Sequence, residues 1–265
     1  MKIDVFNLQG NKIESIDLPI QFTEEIRGDL IKRAFHAYVS LFYQPKGADP
    51  RAGLKTTAEY YGRRHAWRQT INTGRSRLPR EKIPGGKMGR VLRVPLAVKG
   101  RRAHPPKPEK RIIERINVKE RNKAIRSALA ASANKVEVTK KHIFEKALPL
   151  VLSDDFESLK KTKDVLNTLI AVGLAKDLQR STDGTKKPTG IRRLRGRGKR
   201  VPRSVLIIVG NDKGVVKAAG NILGVDATTV DKLNANLLAP GGVAGRLTLF
   251  TKSALQKLSD NALYY

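Results

Sequence analysis

Residues 45–111 interrupt every periodicity from which a fold could be built. Glycine or proline recurs every few residues, from Pro45, Gly47, Pro50 and Gly53 through Pro84, Gly85 and Gly86 to Pro95, Pro105 and Pro106. Neither a helical apolar stripe nor a period-2 alternation survives that punctuation. A stretch this long without elements, inside a compact domain, is either functional or disordered. Charge and aromatic content separate the two readings. The stretch holds 19 Lys and Arg, 12 of them Arg, against only the acids Asp49, Glu59, Glu81 and Glu109. "EYYGRRHAWRQ" (59–69) sets Tyr60, Tyr61, His65 and Trp67 among arginines. Disordered linkers are poor in aromatics. Guanidinium groups fork onto phosphates and stack on bases, and aromatic rings stack on unpaired bases. The composition therefore predicts a nucleic-acid-binding extension, two antiparallel arms with no apolar face to bury, ordered by the polyanion around them. RNA suits such arms better than duplex DNA, because folded RNA has interior gaps and a duplex only grooves.

A second cluster, "KKPTGIRRLRGRGKRVPR" (186–203), adds 9 basic residues and no acid. The two stretches carry most of the net charge of +29, and a sequence pI near 10.6 makes nucleic acid the expected partner. Within them, Arg63, Arg64, Arg68, Arg75, Arg77, Arg90, Arg93, Arg101 and Arg102, with His104, and then Arg192, Arg193, Arg195 and Arg197, are the residues expected to neutralise and bridge phosphates at RNA helix junctions. Tyr61 and Trp67 are the base-stacking candidates.

The remaining sequence, 1–44 and 112–265, reads as one α/β domain, a mostly parallel sheet with helices on both faces. Strands are expected at 3–8 and 12–18 around a turn at Gly10-Asn11, then at 149–152, 205–209, 225–230 and 246–250. Leu30 to Phe42 recur at helical spacing as a core stripe that Pro45 ends, and Asn117 with Glu120 predicts a capping box for the next helix. Further helices are expected through Val165–Ile170 up to Gly173, over about 213–223, and through Ala254–Leu258.

Catalytic signals are weak. The chain has no cysteine, which removes disulfides, thiolate zinc sites and thiol nucleophiles. No apolar run has membrane-spanning length and "MKIDVFNLQG" has no leader-like core, so a soluble intracellular chain is expected. His36 reads as structural, and His65 and His104 as RNA contacts without an acid or serine partner. Asp154-Asp155 fits a turn or a cap for the following helix better than a metal site. "GRG" (196–198) lacks the third glycine of a dinucleotide fingerprint, and "VGNDKG" (209–214) lacks Walker spacing. An RNA-modifying enzyme would need a glycine-rich cofactor loop after an early strand, where the chain has only "QGNK". No cofactor and no metal are expected.

Five segments in order, "VKGRRAHPPK" (98–107), "NVKERNKAIRSALAASA" (117–133), "VLSDDFE" (151–157), "RGRGKRVPRSVLIIVG" (195–210) and "LAPGGVAGRLTLFTKSAL" (238–255), resemble the universal large-subunit ribosomal protein four family in its archaeal and eukaryotic form. The bacterial members lack the "AHPPK" element. The resemblance implies a globular α/β domain, an extension entering large-subunit ribosomal RNA at 45–111, and a tip near 73–90 that lines the nascent-peptide exit tunnel. It also implies cytoplasmic ribosomes as the location, with neighbouring large-subunit proteins and the nascent peptide as further partners. A free regulatory RNA binder is the alternative that this resemblance leaves open.

Overall fold

The computed structural model describes residues 2–62, 65, 69–260, 263 and 264. It divides into two compact units, Met1–Phe42 with Ile113–Tyr265, and Tyr43–Ile112.

The first unit is built on a six-stranded sheet. Its strands are β1 (Lys2–Phe6), β2 (Lys12–Asp17), β5 (Leu150–Leu152), β6 (Leu206–Val209), β7 (Asp226–Thr229) and β8 (Thr248–Thr251); β3 and β4 belong to the second unit. The order is β2-β1-β5-β8-β6-β7, with β1 and β2 antiparallel and every other pair parallel. Central strands β6 and β8 are fully buried, which is why "LIIV" runs apolar without alternation. Successive side chains still part to opposite faces. Ile207, Val209 and Leu249 join the core beneath α4 (Thr162–Ala171), α5 (Ala175–Asp183) and α7 (Val215–Ala219). Leu206, Ile208 and Phe250 join the core beneath α1 (Gly28–Ser40), α2 (Val118–Ala133) and α9 (Lys252–Asp260), and the short helices α3 (Lys135–Thr139) and α8 (Ala235–Leu238) pack against α2. Phe22 closes that face edge-on against Phe250, with ring centroids 5.4 Å apart.

Several local expectations fail for identifiable reasons. The Leu30–Phe42 stripe is core only through Ala37: the helix stops at Ser40, and Leu41 and Phe42 are exposed beyond it. Ser40 Oγ donates back to the Ala37 carbonyl at 2.7 Å and accepts the Glu114 N–H at 3.0 Å, which replaces the next helical turn. Asn117 is the N-cap of α2 by backbone conformation, but its side chain makes no capping hydrogen bond, and Glu120 instead meets Arg33 at 3.1 Å. The helix expected over 213–223 shrinks to α7 because the chain turns at Gly220. Asp154 is a cap, but of α9 rather than the following segment: its carboxylate accepts the Ser253 N–H at 2.8 Å. Leu41 and Phe42 are thus the residues of that stripe misassigned to the core.

The second unit has elements that the sequence concealed. Strands β3 (Arg80–Lys82) and β4 (Met88–Val91) form an antiparallel hairpin across Pro84-Gly85-Gly86, where both glycines take positive φ. Leading and returning segments run antiparallel through Ala48 N–H to Pro106 O (3.3 Å) and a paired bridge between Glu59 and Arg80. At Gly53 (φ +78°) a Cβ would sit 2.6 Å from the Arg101 nitrogen, so only glycine permits that approach. Ala58 and Leu92 are buried in this unit, at positions that the scattered glycines and prolines mask.

Candidate nucleic-acid interface

In the second unit acids are few and mostly spent on local cations. Asp49 pairs with Lys55, Glu59 with Lys82 at 2.7 Å, and Glu81 lies 3.9 Å from Arg90. The hydrogen bonds from Lys82 and Tyr61 hold the Glu59 carboxyl below its ordinary range. Among the described arginine candidates in this unit, only Arg90 therefore meets an acid. Arg75, Arg77, Arg101, Arg102 and His104 are exposed, and Arg93, at φ +76°, sends one guanidinium nitrogen to the Ala58 carbonyl at 3.3 Å. Arg63, Arg64, Trp67 and Arg68 lie outside the described residues. Tyr61 is engaged internally, its hydroxyl donating to Glu59 at 2.8 Å and its ring facing the Lys82 ammonium at 5.6 Å. Tyr60 offers the more open ring, at 47 % exposure, and sequence reasoning passed over it for its neighbour. Tip residues Lys87 and Arg90 sit at the hairpin.

The second cluster closes on itself. Lys186 and Arg200 exchange both backbone hydrogen bonds, at 2.9 and 2.8 Å, and so draw 187–199 into a loop that contains the single helical turn α6 (Ile191–Leu194). Arg192, Arg193, Arg195 and Arg197 are exposed around it, and among the described residues none of the four guanidinium groups meets a carboxylate. Arg203, in the same sequence cluster, is committed elsewhere: it pairs with Asp226 at 2.8 Å.

Polar groups that resemble catalytic sets are structural. Asp177 is fully buried and accepts from His142 (3.2 Å), Arg180 (2.9 Å), Ser204 (2.5 Å) and the Ile143 N–H (3.1 Å). Burial pushes its carboxyl up, but the hydrogen bonds from His142, Arg180 and Ser204 outweigh that and hold it well below 3.8. Ser204 is fully buried and bonds the carboxylate rather than the imidazole, so it is not presented as a nucleophile. Beyond the carboxyl ends of β6 and β8, where open α/β sheets take ligands, the buried Glu157 carboxylate fills the crevice. It accepts from Gly210 N–H (2.8 Å), Thr251 Oγ1 (2.9 Å) and Ser253 Oγ (2.6 Å). An internal anion thus occupies the position a cofactor phosphate would take at "VGNDKG". Arg246, also fully buried, donates to Ser204 O (3.0 Å), Leu237 O (2.9 Å) and Asp226 (2.6 Å). Among the described residues no group of three potential metal ligands occurs, and no helix is long and apolar enough to cross a membrane.

A buried carboxylate at the strand ends and clusters of exposed arginines are the setting in which relatives are informative. The model of the Ribosomal protein L4/L1 family matches residues 16–261. The chain belongs to that family. It is accordingly a ribosomal protein and not an enzyme. It is 47 % identical over 262 residues to large ribosomal subunit protein uL4 of Methanocaldococcus jannaschii, covering 98 % of this chain and 99 % of that one. The uL4 proteins of Archaeoglobus fulgidus (46 % over 261 residues) and Methanococcus vannielii (45 % over 263 residues) are matched over the same shares, and all three relatives are archaeal.

Proposed function

We propose that this chain is a structural constituent of the large ribosomal subunit, which binds and organises large-subunit ribosomal RNA during assembly. Residues 1–44 and 112–265 act as the globular anchor, and 45–111 as the extension that enters the RNA. The loop 186–200 is a second RNA contact. The tip near 73–90 lines the nascent-peptide exit tunnel, neighbouring large-subunit proteins pack beside the domain, and the chain works in cytoplasmic ribosomes. One observation carries this reading: in a member of a ribosomal protein family, exposed arginines cluster in two segments with almost no carboxylate to neutralise them. Compact folding with that self-repulsion is relieved by a polyanion.

Expressed with an affinity tag in an archaeal cell, the chain should sediment with the large subunit. A photo-crosslinking residue at Lys87 should capture a stalled nascent peptide. A chain found on the small subunit or only in the soluble pool contradicts the first part, and a tip that never reaches the peptide contradicts the second.

A further inference from the structure

The loop 186–200 carries something its charge does not explain. Leu194 is 86 % exposed and Ile191 is 65 % exposed, at the two ends of the single turn of α6. A spacing of three residues places them on one side of that turn. The turn is held in shape: Gly190 (φ 61°) opens it, Gly196 (φ 73°) leaves it, and the Lys186–Arg200 bridge closes the base. An isolated exposed leucine needs no explanation. A preformed apolar pair at the head of a closed loop, ringed by Arg192, Arg193, Arg195 and Arg197 and by no acid, does.

We infer that Ile191 and Leu194 form an apolar knob that packs on an unstacked base of ribosomal RNA while the four arginines hold the flanking phosphates. Charge selects the occupant. A hydrophobic pocket on another protein would have to bring carboxylates for four guanidinium groups, whereas RNA supplies a phosphate at every nucleotide. Apolar side chains placed among arginines serve as wedges or platforms where bases leave the stack. The knob therefore adds a component of binding that does not depend on counterion release, and it gives the loop a preference for a junction over a continuous helix. This inference rests on the RNA-binding reading above, but the two fail separately.

The test uses the full chain and deproteinised large-subunit ribosomal RNA, with affinity measured from 0.05 to 0.5 M salt, on the order of the range over which phosphate contacts are read. Ile191→Ser with Leu194→Ser should weaken binding about tenfold at every salt concentration and leave the slope of log K against log salt unchanged. Arg192→Ala with Arg193→Ala should instead flatten the slope by about 1.4–1.8. Ile191→Ser with Leu194→Met, which keeps apolar volume at 194, should bind more tightly than the double serine variant at every salt concentration. A photo-crosslinking residue at 194 in assembled subunits should yield RNA adducts. Unchanged affinity in the double serine variant, or crosslinks to protein alone, overturns the knob and leaves the RNA-binding reading standing. Loss of the arginine effect as well overturns both.

Discussion

Replacing Arg75, Arg77, Arg90, Arg93, Arg101 and Arg102 together by alanine should weaken binding to large-subunit ribosomal RNA by roughly 10⁴- to 10⁵-fold at 0.1 M salt. The size follows from counting. Each phosphate neutralised releases about 0.7–0.9 of a counterion, so six lost contacts flatten the salt slope by about 4–5. All six side chains are exposed and none belongs to a core cluster. Among the described residues, the side-chain polar contacts to be given up are the Arg93 bond to the Ala58 carbonyl and the long Arg90–Glu81 pair. Surface pairs of that kind contribute little stability. The fold should therefore persist while affinity collapses, and circular dichroism alongside a filter-binding titration separates the two effects. Lysine at the same six positions should keep the slope and lose only the part of affinity that bidentate guanidinium geometry supplies. A six-alanine variant that loses less than about tenfold, with its slope intact, would place the RNA contacts elsewhere.

The second large effect is on stability. Asp177→Ala should cost about 3–5 kcal/mol, because it leaves the Arg180 cation, the His142 ring, the Ser204 hydroxyl and the Ile143 N–H without the acceptor they share. That is a large fraction of the roughly 5–15 kcal/mol that holds a typical domain. In calorimetry the midpoint should fall by roughly 10 °C. The same node sets acid sensitivity. The folded Asp177 carboxyl ionises well below 3.8, so in acid the unfolded chain binds the extra proton. The contribution is thus complete above the unfolded value near 3.8 and disappears as pH falls through the lower folded one. Wild-type stability should drop below about pH 4, and Asp177→Asn should flatten that limb of the curve while lowering stability at pH 7. An Asp177→Asn chain with an unchanged acid limb would mean that other carboxylates govern acid unfolding.

That node also marks where sequence reasoning reached its limit. The central strands were legible because burial on both faces demands unbroken apolar runs such as "VLIIV". Helices α1, α4 and α9 were legible because each shows one apolar stripe to the sheet. Helix α5, "AKDLQRSTD", has no such stripe. It buries Asp177, Leu178 and Ser181, two of them polar, and Asp177 is bound by partners that lie 35 and 27 residues away at His142 and Ser204. Pairings across such separations leave no local pattern. Arg246 was read only as the first residue of a strand, yet it is fully buried, with a partner at each guanidinium nitrogen. A signal existed in the single charge within an otherwise uncharged "GVAGRLTLF". The hairpin β3–β4 was missed because strands of three and four residues are too short for alternation to register. Charge clustering, by contrast, survives any local geometry, so both basic segments could be delimited before the fold was known.

Ultraviolet crosslinking of intact archaeal ribosomes that carry this chain, with adducted peptides mapped by mass spectrometry, is the most direct examination of those segments. Adducts to large-subunit RNA should fall within 45–111 and 186–203 and leave the β2 and α9 surfaces clean. Adducts spread over the globular surface, with neither segment represented, would contradict the account.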